Sequence, residues 1–406
     1  MPMADIPLTG YRALDLTSLY MGPFCTRMLA DYGADVIKIE PVSGDPARDE
    51  GPFFHDENHP EKSGLFLHLN VNKRSMTTNI ETAQGQNIIR ELAKSSDIVV
   101  ESFKPGYLEN LGLGYEDLVK INPKIIVTSV TNFGQTGPYK NWEGTDLTLY
   151  AMGASMKTSG QEHKYPLKIA GRIASFQTGN LAATATALAI WNRELTGAPE
   201  HVDVSFFETW KGAIDRSTND LVAYSYTNES SKRQWNPGMG IANGVFRCKD
   251  GYFHISAAGA IRFPRLMKMI GKGKDLIHPP WNNPNALNRP ETLELFDSFF
   301  IPWMLEHTKT DLRNMCQEQG VLGAPINTIE DLLNDPHYIQ RGYWQEIEHP
   351  ETGSVKYPGF PFKLHATPNP ERVRAPLLGE HTNDILQNEL KYSNDEIQAL
   401  QAQGVI

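Results

Sequence analysis

The sequence has few cysteines, no cysteine pairs and no basic cluster. Its 406 residues contain three cysteines, Cys25, Cys248 and Cys316, which lie far apart and form no CxxC pair. This spacing excludes a metal knuckle and argues against a disulfide framework, so we expect no metal site and a reducing, cytoplasmic location. The formal net charge is −10 and Lys and Arg are not clustered, which argues against a nucleic-acid partner.

Signals for export or membrane insertion are also missing from the sequence. Residues 1–10 combine neither a basic region nor an apolar core, so no secretory signal is expected. The most apolar run, residues 181–191, is too short to cross a bilayer and predicts a buried helix. We therefore expect no membrane partner.

The first half of the chain alternates strand and helix patterns. The length predicts two domains, and 40% hydrophobic with 21% charged residues is typical of a globular protein. This alternation predicts an α/β fold with a mostly parallel, Rossmann-like sheet. The predicted strands are residues 11–16, 35–39, 98–103, 125–130 and 201–206, and the predicted helices are residues 23–32, 82–94 and 180–195.

The pattern changes after about residue 230. Two β-prone runs flank Lys249-Asp250-Gly251 and predict a hairpin, as does the sequence around residues 350–353. Helical patterns cover residues 262–270 and 311–319. We predict a large domain over 1–229, a smaller α+β domain over 230–330 and a return segment, 331–406, that completes the large domain.

Short characteristic strings occur along the chain from residue 10 to the C-terminus. The early strings are Leu14-Asp15-Leu16-Thr17, Gly22-Pro23, Ala30-Asp31-Tyr32-Gly33-Ala34-Asp35-Val36-Ile37-Lys38-Ile39-Glu40-Pro41 and Gly44-Asp45. The later strings are Asn72-Lys73-Arg74-Ser75, Glu101-Ser102-Phe103-Lys104-Pro105-Gly106, Gly112-Leu113-Gly114-Tyr115, Phe133-Gly134-Gln135-Thr136-Gly137-Pro138-Tyr139 and Ala375-Pro376-Leu377-Leu378-Gly379-Glu380-His381-Thr382. In this order they resemble the signature of class III coenzyme A transferases (CaiB/BaiF type).

The resemblance implies an architecture and a chemistry. Each family monomer is an open ring, and two monomers interlock, with active sites between the large domain of one and the small domain of the other. Coenzyme A is a substrate, and no tightly bound cofactor is implied. An Asp attacks the acyl-CoA thioester to form a mixed anhydride, and CoA then reaches the acceptor acid through an enzyme-CoA thioester.

The position that the resemblance assigns to this Asp holds Ser175. It opens the string Ser175-Phe176-Gln177-Thr178-Gly179, and no acidic residue lies between Glu162 and Glu194. A serine would form an oxygen ester, which lies below a thioester in acyl-transfer potential, so the return of the acyl group to CoA would be uphill. We therefore predict no catalytic nucleophile in this chain and interpret Ser175 as a helix N-cap.

The resemblance also indicates a CoA-binding set, which we interpret as weak or vestigial. Relatives often carry a basic residue at the position of Asn110, and some at that of Glu143, where it would pair with CoA phosphates. Lys104 and Phe103 have the alternative roles of solvated charge and core residue. The set is Tyr20, Met21, Thr78, Asn79, Ile80, Glu81, Phe103 and Lys104.

Asp146 matches an acidic position that supports the site in relatives. The racemase branch of the family uses a His just before it together with the Asp at the nucleophile position. This chain has Thr145 and Ser175 there, so both groups that would move a proton at an α-carbon are absent.

A chain that keeps the fold signatures without the nucleophile is most simply one subunit of a heteromeric transferase. The predicted partner is a homologous subunit that carries the Asp. The resemblance points to the non-nucleophilic subunit in the branch that moves CoA from succinyl-CoA to (R)-benzylsuccinate in anaerobic toluene degradation. Two alternatives stay open: a non-enzymatic structural or acyl-CoA-sensing homodimer, and an active single-chain racemase or lyase that uses other groups.

Overall fold

The computed structural model describes residues 6–160, 163–212, 215–230, 241–367 and 369–406. By its internal contacts the chain divides into two units. The first unit contains residues 1–160, 164–233 and 342–406, and the second contains residues 161–163 and 234–341. The predicted domain boundaries after residues 229 and 330 stay a prediction.

A parallel sheet organises the first unit. In the part of the chain that the structure describes it has six strands in the order β3-β2-β1-β4-β5-β6. The strands are β1 (Arg12–Leu16), β2 (Asp35–Glu40), β3 (Lys73–Thr77), β4 (Ile98–Glu101), β5 (Ile126–Thr131) and β6 (Glu200–Ser205). The predicted α/β class and parallel sheet are confirmed, although the polar sequence of β3 gave no strand signal.

Helices cover both faces of this sheet. Successive residues of a strand point to opposite faces, and both faces carry apolar side chains that the helices bury. Leu14, Ile37 and Val99 belong to the core on one face, and Ala13 and Val36 belong to the core on the other. The helices of this part are α1 (Met21–Asp31), α2 (Gly64–Leu69), α3 (Ala83–Lys94), α4 (Tyr107–Asn110), α5 (Tyr115–Ile121), α6 (Asp146–Met152), α7 (Ser155–Thr158), α8 (Ile173–Thr196), α9 (Phe206–Gly212) and α10 (Asp215–Thr227).

Helix α8 packs against α1 through one face only. A Cβ atom at Gly179 would lie 2.4 Å from the carbonyl oxygen of Met21, so the two helices approach closely there. The core-facing side is built largely from small residues, whereas the large side chains Leu188, Trp191 and Leu195 are about two-thirds exposed. The prediction that residues 181–191 form a buried helix is therefore wrong for this outer face.

The second unit contains an antiparallel sheet in the order β7-β8-β9 with helices packed on it. The predicted hairpin around residues 249–251 is confirmed as β7 and β8. The elements are β7 (Asn243–Cys248), β8 (Gly251–Ser256), α11 (Arg262–Met269), α12 (Pro290–Glu306), α13 (Lys309–Gln319), β9 (Leu322–Pro325), α14 (Ile329–Leu333) and α15 (Pro336–Gln340).

The return segment forms the predicted second hairpin and then binds along the first unit. It contains β10 (Trp344–His349), β11 (Gly353–Pro358), α16 (Thr382–Asp384) and α17 (Asn394–Ala402). The buried Arg372 pairs with Asp31 of α1 at 2.6 Å, and the backbone N–H of Gly379 donates to Ser75 Oγ at 3.0 Å. The C-terminal string around Gly379 thus has a structural role in closing the first unit.

Two sequence expectations concern membranes and metals. Among the described residues, no helix combines the length and the apolar character needed to cross a lipid bilayer. The same residues contain no group of three or more His, Cys, Asp or Glu side chains arranged to hold a metal ion. The three cysteines are buried free thiols.

Candidate functional site

Two cavities of the first unit open at the carboxyl ends of the parallel strands, where open α/β sheets bind their ligands. We call them the apolar cavity, of about 620 Å³, and the Ser175 cavity, of about 680 Å³. The apolar cavity follows β1 to β4, and the Ser175 cavity follows β1, β4, β5 and β6. Several of the family strings therefore lie at the two cavities.

The apolar cavity brings together five of the residues predicted to meet CoA. Its lining includes Leu16, Ile39, Pro41, Val42, Thr78, Asn79, Ile80, Glu81, Phe103 and Tyr107. The rings of Phe103 and Tyr107 stack with centroids 4.7 Å apart. Backbone hydrogen bonds from Thr78 to Glu40 and from Asn79 to Val405 fix the polar side of the cavity. This shape suits a flat heteroaromatic ring, and its use for CoA stays a prediction.

Lys104 and Asn110 do not line the apolar cavity. The Lys104 ammonium pairs with the carboxylate of Glu143, and the two side chains are 66% and 79% exposed. A solvent-exposed ion pair of this kind contributes little to stability, and it places Lys104, a residue of the predicted CoA-binding set, opposite a carboxylate. Asn110 ends α4 on the surface.

The Ser175 cavity contains the other predicted residues, Tyr20 and Met21, together with Ser175 and Asp146. Its charged side chains are Glu50, Asp146, Lys168 and Arg172. The remaining lining comes from Ser18, Leu19, Gly22, Ser102, Asn132, Gly144, Thr145, Leu147, Leu149, Gly171 and Phe206. The structure thus brings the predicted nucleophile position and the predicted supporting acid into one cavity.

Ser175 is the third residue of α8 and not its N-cap, which is Arg172. The Ser175 hydroxyl donates to Asp146 Oδ1 at 2.9 Å, and the Ser175 backbone N–H points to the same oxygen at 3.3 Å. The Asp146 carboxylate, from α6, therefore accepts hydrogen bonds at the N-terminus of α8. Backbone N–H groups lack helical partners there, and the helix dipole is positive. The interpretation of Ser175 as an N-cap is wrong, because Asp146 supplies the acceptor instead.

Lys168 completes the environment of Asp146, and the sequence gave no sign of it. Its ammonium lies 2.7 Å from Asp146 Oδ2 and donates to the carbonyl oxygens of Ile169, at 3.0 Å, and Gly171. The two carbonyl oxygens accept two of its three N–H donors, and Asp146 Oδ2 lies beside the ammonium in an ion pair. Both oxygens of Asp146 are therefore engaged within the protein.

Arg172 and Glu50 form the second ion pair of the cavity. Arg172 Nη1 donates to Glu50 Oε2 at 2.8 Å, and the guanidinium carbon lies 3.9 Å from the centroid of the Tyr20 ring. Burial alone would raise the pKa of Glu50, but the neighbouring Tyr20 phenol and the Arg172 guanidinium lower it below its usual value. Burial and the neighbouring Glu50 raise the pKa of the Tyr20 phenol. Glu50 is therefore held as a carboxylate.

A buried ion pair behind the cavity shapes the loop that carries Tyr20 and Met21. Lys38 Nζ lies 2.7 Å from Asp45 and donates to the Thr17 carbonyl oxygen at 3.0 Å. The N–H of Leu19 donates to Asp45 Oδ1 at 3.2 Å, and Leu19 has φ = 65°, which is uncommon for a residue other than glycine. The family strings around Lys38 and Asp45 thus fix this loop and need not contact a ligand.

A second buried pair joins β1 to β3. Lys73 Nζ lies 2.9 Å from Asp15 Oδ2 and also donates to Thr26, Asn70 and the Pro23 carbonyl oxygen. Burial lowers the pKa of Lys73 to about 8, although Asp15 opposes this shift. Burial would raise the pKa of Asp15, but Lys73, Lys38 and two hydroxyl donors bring it well below its usual range. Such buried ions persist only when they are paired and hydrogen-bonded.

Comparison with known proteins agrees with these features. A family model described as CoA-transferase family III matches residues 8–382. One relative is the succinyl-CoA–D-citramalate CoA-transferase of Chloroflexus aurantiacus, which is 32% identical over 98% of both chains. Another is the BbsE subunit of the succinyl-CoA:(R)-benzylsuccinate CoA-transferase of Thauera aromatica, which is 29% identical over 98% of this chain and 97% of its own. A CaiB/BaiF family crystal structure from Brucella suis has a TM-score of 0.83 at 30% identity, covering 95% of this chain and all of its own. The resemblance drawn from the strings is confirmed, and the chain belongs to CoA-transferase family III.

Proposed function

We propose that this chain is the non-nucleophilic subunit of a heteromeric CoA-transferase. A homologous partner subunit supplies the catalytic Asp, and the complex moves CoA from an acyl-CoA donor, succinyl-CoA, to a carboxylic acid such as benzylsuccinate. The two subunits form the interlocked pair that the family resemblance implies.

The proposal is carried by one observation: among the described residues that line the Ser175 cavity, every carboxylate is held in an ion pair. Its two carboxylates, Glu50 and Asp146, are paired with Arg172 at 2.8 Å and Lys168 at 2.7 Å. Asp146 also accepts from the Ser175 hydroxyl. A carboxylate that attacks a thioester needs an oxygen that can reach the carbonyl carbon at about 3–3.5 Å, and both acids would first have to break an ion pair.

Ser175 itself is a poor relay for CoA. Its hydroxyl already donates to a carboxylate that an ammonium holds in place. The oxygen ester formed on serine lies below a thioester in acyl-transfer potential, whereas an acyl-carboxyl anhydride stays activated while CoA changes partners. The covalent chemistry is therefore assigned to the Asp of the partner subunit, and this chain contributes structure and recognition.

Two further features support a subunit role. The outer face of α8 exposes Leu188, Trp191 and Leu195, which lie on adjacent helical turns and form an apolar stripe. Apolar surface of this kind marks a protein–protein contact. In addition, the benzylsuccinate enzyme among the relatives is named as a subunit.

Co-purification of the native complex tests the proposal. We expect an Asp-bearing homologue to accompany this chain in equal amount at high salt, where surface charges are screened, and we expect the chain alone to transfer no CoA. Ser175→Ala in the complex should keep turnover and reduce stability by about 1 kcal/mol through the lost hydrogen bond. CoA transfer by the isolated chain, or a hundredfold loss of turnover in Ser175→Ala with an intact fold, would reject it.

A further inference from the structure

Arg172 has hydrogen-bond donors that no described residue accepts. One nitrogen donates to Glu50, and the flat face of the guanidinium lies against Tyr20. Within the described ranges of the chain, the guanidinium makes no other hydrogen bond. A guanidinium carries five N–H donors in a planar fork, so several remain for a ligand in the Ser175 cavity.

Lys168, the other cation of the cavity, differs in this respect. Its ammonium forms an ion pair with Asp146 and donates to two backbone carbonyl oxygens, so two of its three donors are used in hydrogen bonds. A ligand that bound Lys168 would compete with Asp146 for the ammonium. Of these two cations, Arg172 therefore has the larger number of donors that no described residue accepts.

The charge balance of the cavity also favours an added anion. The lining contains two carboxylates and two cations, which compensate each other. At position 175, where the family resemblance places a carboxylate, this chain has a neutral serine. The cavity therefore holds one negative charge fewer than a nucleophile-bearing cavity of the same layout, and a ligand carboxylate would restore that charge.

The guanidinium is also held in place before any ligand arrives. Glu50 fixes one edge and the Tyr20 ring fixes one face, so little side-chain freedom is lost on binding. Arg172 stands at the N-terminus of the 24-residue helix α8, where the helix dipole favours negative charge. Arginine pairs with carboxylates through two parallel hydrogen bonds, which lysine cannot reproduce.

We infer that Arg172 binds a carboxylate, and that the Ser175 cavity of this chain takes a short dicarboxylic acid, either free or as its CoA monothioester. In the thioester form, the reacted carboxyl carbon lies toward Ser175 and the free carboxylate lies on Arg172, about one helical turn away. The inference rests on the proposed function, since it names the substrate class of the same site.

Equilibrium dialysis of labelled succinate against the purified complex tests the inference. The partner subunit contributes the same background to every sample, so differences between variants report on this chain. Arg172→Gln should weaken binding at this chain at least about tenfold, and Arg172→Lys should fall between it and the wild type. Arg289→Gln is the matched control, because Arg289 is an exposed arginine at the N-cap of α12 and should leave binding unchanged.

Ligands that lack the second carboxylate identify what Arg172 recognises. Butyrate and butyryl-CoA should bind more weakly than succinate and succinyl-CoA, and Arg172→Gln should remove the difference. Dependence on Arg172 for succinyl-CoA alone assigns the site to the thioester, and dependence for succinate assigns it to the free acid. Three results would overturn the inference. They are equal binding of succinate and butyrate, binding of succinate by Arg172→Gln as tight as by the wild type, and no binding of ligand by this chain. CoA transfer by the isolated chain would reject the subunit proposal. It would leave the comparison of wild type with Arg172→Gln intact, because dialysis measures bound ligand and not CoA transfer.

Discussion

Replacing Ser175 with aspartate restores a carboxylate at the predicted nucleophile position, and we expect this single change to produce little or no activity. The Ser175 hydroxyl lies 2.9 Å from Asp146 Oδ1, so the new carboxylate would stand about 4 Å or less from an existing one. Two like charges at 4 Å repel by about 4 kcal/mol at an effective dielectric constant of 20. Lys168 and the positive end of α8 offset part of this repulsion, which leaves a net destabilisation of about 2–3 kcal/mol at neutral pH.

The pH dependence of this destabilisation gives a second test. Repulsion between the two carboxylates raises the pKa of one of them in the folded state. The unfolded chain loses that proton at lower pH, so the loss of stability grows as the pH rises. Urea unfolding of Ser175→Asp should therefore show a larger deficit relative to wild type at about pH 8 than at about pH 5. Ser175→Asp combined with Asp146→Asn should recover most of the stability, and Ser225→Asp, at an exposed position of α10, should change little.

Activity should return only when CoA can also bind. None of the described residues that line the apolar cavity is a Lys or Arg, so this cavity offers no cation to the CoA phosphates. We expect Asn110→Arg with Glu143→Lys, added to Ser175→Asp, to strengthen CoA binding in equilibrium dialysis before it produces turnover. The reasoning is refuted if Ser175→Asp alone is as stable as wild type at pH 8 and transfers CoA at the rate of the complex.

Three further predictions concern the buried groups that position the cavities. Burial raises the pKa of Glu101 to about 7, so the contribution of Glu101 to stability falls between about pH 4 and 7. The free energy of urea unfolding of Glu101→Gln, measured relative to wild type, should therefore rise by about 3 kcal/mol across that range. A difference that does not change with pH would contradict this prediction. Lys73→Met leaves the buried Asp15 without its ion-pair partner and should destabilise the chain by about 3–5 kcal/mol. The double variant Lys73→Met/Asp15→Asn should recover part of this loss. An unchanged midpoint of urea unfolding in Lys73→Met would contradict the prediction. Gly179→Ala brings a methyl group 2.4 Å from the Met21 carbonyl oxygen and should cost about 1–3 kcal/mol in urea unfolding, whereas Asn180→Ala on the exposed side of α8 should not.

The sequence predicted the parallel sheet well because its strands carry their own signal. Strands β1, β2, β4 and β5 are apolar runs with turn residues between them, so local pattern and burial agree. Strand β3 was missed because its inward side chains include Lys73 and Ser75, which are buried through pairing and hydrogen bonds with distant residues. Polar residues in a strand are invisible to a hydrophobic pattern when their partners are far along the chain.

The candidate site was predicted less completely, for a similar reason. Ser175 and Asp146 were found through the family strings, and the structure brings them to 2.9 Å. Lys168 and Arg172 carry no motif, and their importance appears only when folding places them beside Asp146 and Glu50. The N-cap interpretation of Ser175 failed because the true acceptor is 29 residues away in sequence.

Trapping of the acyl-enzyme tests most directly the claim that this chain carries no nucleophile. The purified complex is mixed with the acyl-CoA donor and treated with hydroxylamine or borohydride, and the intact mass of each subunit is then measured. We predict a modification on the partner subunit and none on this chain, because Glu50 and Asp146 are held in ion pairs and Ser175 gives no activated intermediate. A covalent adduct on this chain, formed at the rate of turnover, would contradict the account.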